Sequence, residues 1–399
     1  MKPLKVGVLG VGDISDVYLH NLAKYPIVEL AAVAGRDLEK ARAKAAAHGV
    51  PKAYPDAASL IDDVGIDIVL NLTTPDVHAE LTLAALRAGK HVYSEKPLAT
   101  TFAEGKALCE DARRRGLTLG CAPDTVLGGR LQTCRQLIDE GVIGTVHGAT
   151  AFAVSRGPEW FHPNPAFLYR RGGGPLHDIG PYYLSALVSL LGPVRQCSAV
   201  AGRACSERVV ESGPLCGMRI PVDEPTHVAA NLVFVSGALV TLIVSYDVWD
   251  SELPRMELYG TAGTLCLNDI DPCDGPNLFG GDLLLRTRDD YRWVELPRGE
   301  AARRPWKKVP IERPFIETSH RENSRGIGLV DMAMSIAEGR APRASAEMAL
   351  HILEIMHGML ESAANNVTYP LETRMERPEP MWLQFQDCLS HEPLEPARA

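Results

Sequence analysis

The first 121 residues alternate short apolar runs with amphipathic segments, and this constrains the fold more than any other feature. Leu4–Leu9 (LKVGVL) is a continuous apolar run, as in a strand buried on both faces. Gly10-Val11-Gly12-Asp13-Ile14-Ser15 follows, and an amphipathic helix runs on to about Lys24. Val28–Val33 reads as a second strand, and a helix starts near Leu38 with Asp37 as its cap. Ile66–Leu72 is a third strand. Thr73-Thr74-Pro75-Asp76 opens the helix Val77–Ala88, which Gly89 ends. His91–Tyr93 is a fourth strand, and Leu117–Cys121 a fifth after the helix Phe102–Arg115. Repeated β-α-β units with short connections predict an α/β fold, a doubly wound parallel sheet.

The glycine loop suggests a use for that sheet. Gly10 permits a tight turn, and Gly12 lets a pyrophosphate approach the backbone. Asp13 and Ile14 open a helix whose free N–H groups and dipole favour an anion. Ser15 stands where the usual fingerprint has Gly or Ala, so the match is incomplete. An NAD site carries an acid near the end of the second strand to bond the ribose 2′-hydroxyl. Here Gly35-Arg36-Asp37 occupies that place. Gly35 leaves space, Arg36 suits a 2′-phosphate, and Asp37 reads as the helix cap, so NADP is expected over NAD.

His91–Thr101 (HVYSEKPLATT) places Lys96 at a strand end, between a carboxylate and a proline. Proline restricts the residue before it to extended backbone. Ligands of open α/β sheets lie outside the carboxyl ends of the strands, so Lys96 is a candidate for chemistry. Farther on, Asp178 and Tyr182 are four apart and share a face of any continuous helix. Pro181 makes such a helix start late or kink. His177 points off that face and reads as structural. Arg156–Arg171 (RGPEWFHPNPAFLYRR) has the prolines and aromatics of a shaped rim. Trp160, His162, Asn164 and Tyr169 suit a polyol, since aromatic faces stack on sugar rings while Asn and His bond hydroxyls. Cys121–Thr125 closes the first domain, with Asp124 expected to touch substrate. The boundary falls near Pro123, giving domains 1–123 and 124–399.

GVGDIS, TTPDVHAELTLAALRAGKHVYSEKPLATT and GGGPLHDIGPYYLSALVSLLGPV (Gly172–Val194) together resemble the Gfo/Idh/MocA oxidoreductase family, named for glucose-fructose oxidoreductase and inositol dehydrogenase. The resemblance implies an N-terminal Rossmann domain. It also implies a C-terminal α/β domain with a large, mostly antiparallel open sheet that makes homodimers or homotetramers. Glu95-Lys96-Pro97 is then the family's signature, with Lys96 between nicotinamide and substrate. Thr73, Thr74, Pro75, His78, Glu95 and Lys96 join Gly10, Gly12, Asp13, Ile14 and Arg36 at the cofactor, and Lys96, Asp178 and Tyr182 are catalytic. Most members carry His at the position of Tyr182 and a minority Tyr, which leaves Tyr182 and Lys96 as alternative acid/bases. A free phenol, with a pKa of about 10, is a poor base at neutral pH, and a nearby ammonium favours the phenolate. The implied reaction is hydride transfer between a nicotinamide cofactor and a hydroxyl or keto carbon of a sugar, sugar derivative or cyclitol. Two alternatives stand beside it: a glycosidase using transient oxidation on the same fold, and a non-catalytic dinucleotide-sensing regulator.

Composition narrows the field. The 399 residues carry a net charge of −9, from 41 basic and 50 acidic side chains, which argues against nucleic acid or an anionic membrane as partner. No apolar run reaches membrane-span length, and a strand already begins at Leu4, so a cytoplasmic protein without a signal peptide is expected. The nine cysteines are an odd number with no C-x-x-C pair, which fits reduced thiols and no metal. A short-chain dehydrogenase is excluded because no Tyr has Lys four residues later, and a zinc alcohol dehydrogenase because its ligand groupings are missing.

Overall fold

The structure is a computed structural model that describes residues 2–162, 164–268, 278, 280–290, 305–317, 319, 323–381 and 385. The chain divides into two units. The first holds residues 1–127, 321–353 and 378–399, and the second 128–320 and 354–377.

In the first unit the chain runs β1 (Leu4–Leu9), α1 (Asp13–Leu22), β2 (Val28–Ala34), α2 (Leu38–His48), β3 (Lys52–Tyr54), α3 (Ala57–Ile61), β4 (Ile68–Asn71), α4 (Pro75–Arg87), β5 (His91–Ser94), α5 (Phe102–Arg115) and β6 (Leu119–Cys121). The six strands are parallel in the order β3-β2-β1-β4-β5-β6, so the order reverses beside β1. That reversal is the switch point at which such sheets bind ligands. Val6, Val8, Ile68, Val69, Leu70 and Val92 are fully buried, as a doubly covered sheet requires. Asp37 caps α2 by accepting from the N–H groups of Glu39 and Lys40 at 3.0 and 3.1 Å. Thr101 and Glu104 form a reciprocal capping box at α5. β3 and α3 were not expected: an edge strand of three residues, none buried, leaves no apolar run to read.

The second unit begins with α6 (Gly129–Asp139), β7 (Val146–Val154), α7 (Gly174–Asp178), α8 (Gly180–Leu191) and β8 (Val194–Gly202). A small hairpin of β9 (Glu207–Val209) and β10 (Arg219–Pro221) follows. Then come β11 (His227–Phe234), β12 (Leu239–Ser245), β13 (Met256–Gly260), β14 (Gly263–Asn268), β15 (Asp282–Thr287), β16 (Lys307–Lys308) and β17 (Tyr369–Pro370). Nine of these strands make one sheet, ordered β16-β15-β14-β13-β7-β12-β11-β8-β17. Its neighbours pair antiparallel except β7 and β12, which are parallel. One face buries Val228, Ala230, Leu232 and Phe234 of β11, and α8, buried along its whole length, packs on β7. Arg303–Pro314 is basic and broken by prolines, a sequence that predicts a solvated excursion; it contains β16, in which Lys307 and Lys308 pair with Leu285 and Leu284 at the sheet edge. The expected loop Asp269–Asp282 lies outside the described residues apart from 278 and 280–282.

Two late helices follow, α9 (Ile327–Glu338) and α10 (Ala346–Asn365). The sequence pattern predicts helices over His320–Glu338 and Ala344–Asn365, each beginning earlier than the helix itself; 320–322 lie outside the described residues. α9 packs on β6, Ala344 O accepts from Cys121 N at 3.1 Å, and Gly120 bridges Ser345. The first unit therefore extends past the expected boundary at Pro123 and takes back residues 321–353 to cover the β6 edge. Of the tail after Pro378, only 379–381 and 385 are described.

Candidate active site

Gly10 has φ +97°, and a Cβ there would lie 2.6 Å from Leu72 O, so only glycine fits. Gly12 differs: its backbone is extended, and a Cβ would meet nothing within 4 Å. Protein packing does not require glycine at 12; its smallness keeps the backbone open in front of α1. No side chain caps α1, and none caps α4, which begins Thr74-Pro75. Two helix N-termini thus present N–H groups and positive dipole ends. Ser15 is buried and donates its hydroxyl to Gly12 O at 2.5 Å, so the departure from the fingerprint is absorbed inside the turn. Asp13 is exposed and Ile14 half-buried. This geometry fits a dinucleotide pyrophosphate. At the end of β2 a Cβ on Gly35 would lie 2.7 Å from Val11 Cγ2, Arg36 is exposed, and the Asp37 carboxylate is engaged in its cap.

The loop after β4 is tied to the signature tripeptide. Asn71 Oδ1 accepts from Thr73 N at 3.3 Å and from its hydroxyl at 2.6 Å. His78 is buried, and its two ring nitrogens lie 2.8 Å from the carbonyl oxygens of Thr73 and Pro97. Glu95 is buried as well: Oε1 accepts from Tyr18 OH at 2.7 Å and Oε2 from Lys96 N at 2.9 Å. Both carboxylate oxygens therefore have partners within the unit and hold the Lys96 backbone. Burial, then the Glu95 charge, pushes the Tyr18 phenol well above its ordinary range, so it remains a donor. Lys96 is half-buried and precedes a cis peptide bond to Pro97. Asp124 is fully buried, and its Oδ2 accepts from Gly326 N and Gly328 N at 2.8 and 3.0 Å. It holds the start of α9. Burial raises its carboxyl from 3.8 to about 6 against the pull of those two N–H groups.

In the second unit Asp178 ends α7 and Tyr182 lies in the first turn of α8, the two helices joined at Ile179. The helix breaks one residue after Asp178, with Pro181 in the first turn of α8, the late start that this proline predicts. Asp178 is half-buried, and Tyr246 donates to its Oδ2 at 2.6 Å. Burial, then the Asp178 charge, holds the Tyr246 phenol well above its ordinary range. The Tyr246 ring meets Tyr169 edge-on at 5.9 Å. Tyr169 donates to Glu159, which Arg208 bonds at 2.9 Å while also pairing with Asp247. Tyr169, expected on the rim, is fully buried in this network. Trp160 is partly exposed and Asn164 exposed; Asn164 N donates to Nδ1 of half-buried His162 at 3.0 Å. Asn164 also heads a 3₁₀ turn, Pro165–Tyr169. Tyr182 is buried, and His177 Nδ1 lies 2.9 Å from Gly173 O.

Tyr18, Glu159, Arg208 and Tyr246 were not anticipated. The only sequence signal for Tyr246 is its place directly after an apolar strand. Among the described residues no three His, Cys, Asp or Glu side chains gather as a metal site, and no helix is long and apolar enough to cross a membrane.

Comparison with known proteins gives two family matches. Residues 4–122 match the oxidoreductase family with NAD-binding Rossmann fold, and residues 131–266 match the GFO/IDH/MocA C-terminal domain. D-glucoside 3-dehydrogenase of Escherichia coli is 33% identical over 193 residues, 48% of this chain and 54% of that protein, so the match spans about half of that relative. A dTDP-3,4-didehydro-2,6-dideoxy-alpha-D-glucose 3-reductase of Streptomyces antibioticus is 34% identical over 271 residues, 66% of this chain and 75% of that one. In fold, a levoglucosan dehydrogenase in complex with NADH superposes with a TM-score of 0.76 at 22% identity, covering 93% of this chain and 100% of the other.

Proposed function

Because the chain belongs to the Gfo/Idh/MocA oxidoreductase family, we propose that it oxidises a hydroxyl carbon of a sugar, sugar derivative or cyclitol, or reduces the matching carbonyl, with a nicotinamide dinucleotide as hydride partner. The observation that carries this reading is the open backbone at Gly12 before the uncapped α1. The backbone of Gly10, Gly12, Asp13 and Ile14 would hold the pyrophosphate, with Thr73, Thr74 and Pro75 at the second helix start. Arg36 would take a 2′-phosphate, so NADP is the preferred form. Bound there, the nicotinamide supplies hydride acceptance or donation.

The chain's own residues handle the proton. Tyr182 exchanges it with the substrate hydroxyl, and Lys96 supplies the positive charge that favours that exchange. Asp178, fixed by Tyr246, orients the reacting groups. His162 and Asn164 receive the reacting sugar, and Trp160 the part of the substrate beyond it. Glu95, His78 and Asp124 act through structure, since their polar atoms already have partners within the first unit. The protein works as a homodimer or homotetramer. The names of the two sequence relatives, which act on glucose derivatives, support the substrate class.

The test is a panel of sugars, inositols and keto sugars, followed by absorbance of the reduced nicotinamide with NAD and with NADP. Substrate-dependent reduction or oxidation of cofactor supports the reading. Release of a free sugar without net cofactor change would reassign the protein to redox-assisted glycoside cleavage, and tight cofactor binding with no turnover to a regulator.

A further inference from the structure

Strands β7 and β12 lie parallel, with Val154 opposite Ser245. Their pairing continues beyond the strand ends: Ser155 N donates to Ser245 O at 2.9 Å, and Val248 N to Ser155 O at 3.0 Å. The segments 155–160 and 246–250 therefore leave the sheet together, at the same end. Tyr246 is the first residue out, and its hydroxyl holds Asp178. Trp249 follows three residues later, within roughly 11 Å of chain.

At this point three side chains form a layered group. The Arg156 guanidinium carbon lies 4.7 Å from the Trp160 ring centroid and 5.7 Å from that of Trp249. Such contacts attract the guanidinium to both indole faces. Trp160 is nevertheless 38% exposed and Trp249 78%. Large aromatics left in water beside a binding group call for a ligand. The polar surroundings define its chemistry. Arg156 pairs with Glu211 at 3.9 Å, so a wholly apolar partner would have to bury both charges. A phosphate at the guanidinium would also meet the Glu211 carboxylate, whose like charge opposes it. A pyranose ring suits both features: its C–H face stacks on an indole, and its hydroxyl rim bonds the guanidinium and the carboxylate.

We propose that Trp160, Arg156 and Trp249 form a platform for a second sugar ring, so that the substrate is a glycoside whose reacting ring is joined to another pyranose. The inference rests on the sugar oxidoreductase reading above and narrows its substrate class.

The experiment compares D-glucose with cellobiose and maltose, each with NAD and NADP, in the wild type and in Trp249→Ala and Trp160→Ala. The wild type is expected to use at least one disaccharide with a kcat/KM above that for glucose. Trp249→Ala should lower that kcat/KM by roughly 5–30-fold, mainly through KM, and lower the glucose value less. Trp249 is surface-exposed, and an unchanged melting temperature confirms that the variant is folded. A wild type that prefers glucose, or variants that lose equally on one ring and two, would overturn the platform while leaving the oxidoreductase reading intact. No turnover of any sugar in the wider panel would overturn both.

Discussion

Tyr246 donates its hydroxyl to Asp178 Oδ2 at 2.6 Å, across 68 residues of sequence. Tyr246 is fully buried and its phenol stays protonated, so it acts as a fixed donor throughout the working pH range. Tyr169 packs against its ring, and Glu159 and Arg208 hold Tyr169 in turn. The half-buried carboxylate at the end of α7 thus gets its orientation from the interior of the second unit.

Tyr246→Phe keeps the ring and removes the donor. Loss of a hydrogen bond to a charged group costs about 1.5–3 kcal/mol, which corresponds to a fall in kcat of roughly ten- to a hundredfold. In an Asp178→Asn background the same substitution should cost little, because the two residues act as one unit. Equal losses in both backgrounds would show that Tyr246 acts through packing alone.

Arg36→Ala addresses cofactor choice. Gly35 leaves no acid at the end of β2, and Asp37 is engaged in capping α2. The substitution should weaken NADP(H) by on the order of 1–3 kcal/mol and leave NAD(H) nearly unchanged. Parallel losses for the two dinucleotides in a binding titration would remove Arg36 from phosphate recognition.

How much could be read from sequence depended on whether a feature is local. Leu4–Leu9 is exact as a strand, because a doubly buried parallel strand is continuous in hydrophobicity. Asp37 was placed as a cap by its position alone, and the structure shows both bonds. The turn at Gly10 was legible because its positive φ and the closeness of Leu72 O admit only glycine there. The partners Tyr18–Glu95 and Tyr246–Asp178 were not, since 77 and 68 residues separate them and no spacing rule links them. Pro181 signalled a late helix start or a kink beside Tyr182, and α7 indeed ends and α8 begins between Asp178 and Tyr182, so the two do not share one helix face. The return of residues 321–353 to the first unit is a tertiary choice, made by the need to cover β6.

Asp124 gives a stability prediction. Its carboxyl is raised from 3.8 to about 6 in the folded protein, so the folded state favours the protonated form. The stability contributed by that proton is complete below about pH 4 and is lost as pH rises through about 6. Asp124→Asn keeps an acceptor for Gly326 N and Gly328 N without a buried charge. Relative to wild type it should gain up to about 3 kcal/mol above pH 7, and the gain should vanish near pH 4. Melting curves at pH 4.5 and 8 test this; a variant less stable than wild type at pH 8 would show that the charged form is favoured there.

The open face of the nine-stranded sheet predicts assembly. Val200, Ala229 and Ile243 stand side by side across β8, β11 and β12, and Val233 stands opposite Leu239. Val200 is 67% exposed and Leu239 61%, so two apolar rungs flank the polar rung Ser198, Asn231 and Thr241 on one exposed face. A symmetric homo-oligomer with two-fold symmetry is the simplest cover. Light scattering at micromolar concentration should give a dimer or tetramer mass, and a monomer mass removes the claim.

The acid/base assignment is decided by Tyr182 and Lys96. If Tyr182 exchanges the proton, Tyr182→Phe should lower turnover by roughly 10²–10⁴-fold, the usual worth of general acid–base catalysis. Cofactor affinity should survive, because the phenol is assigned to substrate and the pyrophosphate is assigned to the α1 turn. Lys96→Met should be at least as damaging, since it removes the charge that favours the proton exchange. Its backbone is held by Glu95, so the side chain can be changed without releasing the strand end. The double variant should lose far less than the product of the single losses, as groups acting together do. Should Tyr182→Phe keep turnover within a few-fold of normal while Lys96→Met abolishes it, the lysine is the acid/base and Tyr182 only a hydrogen bond to substrate.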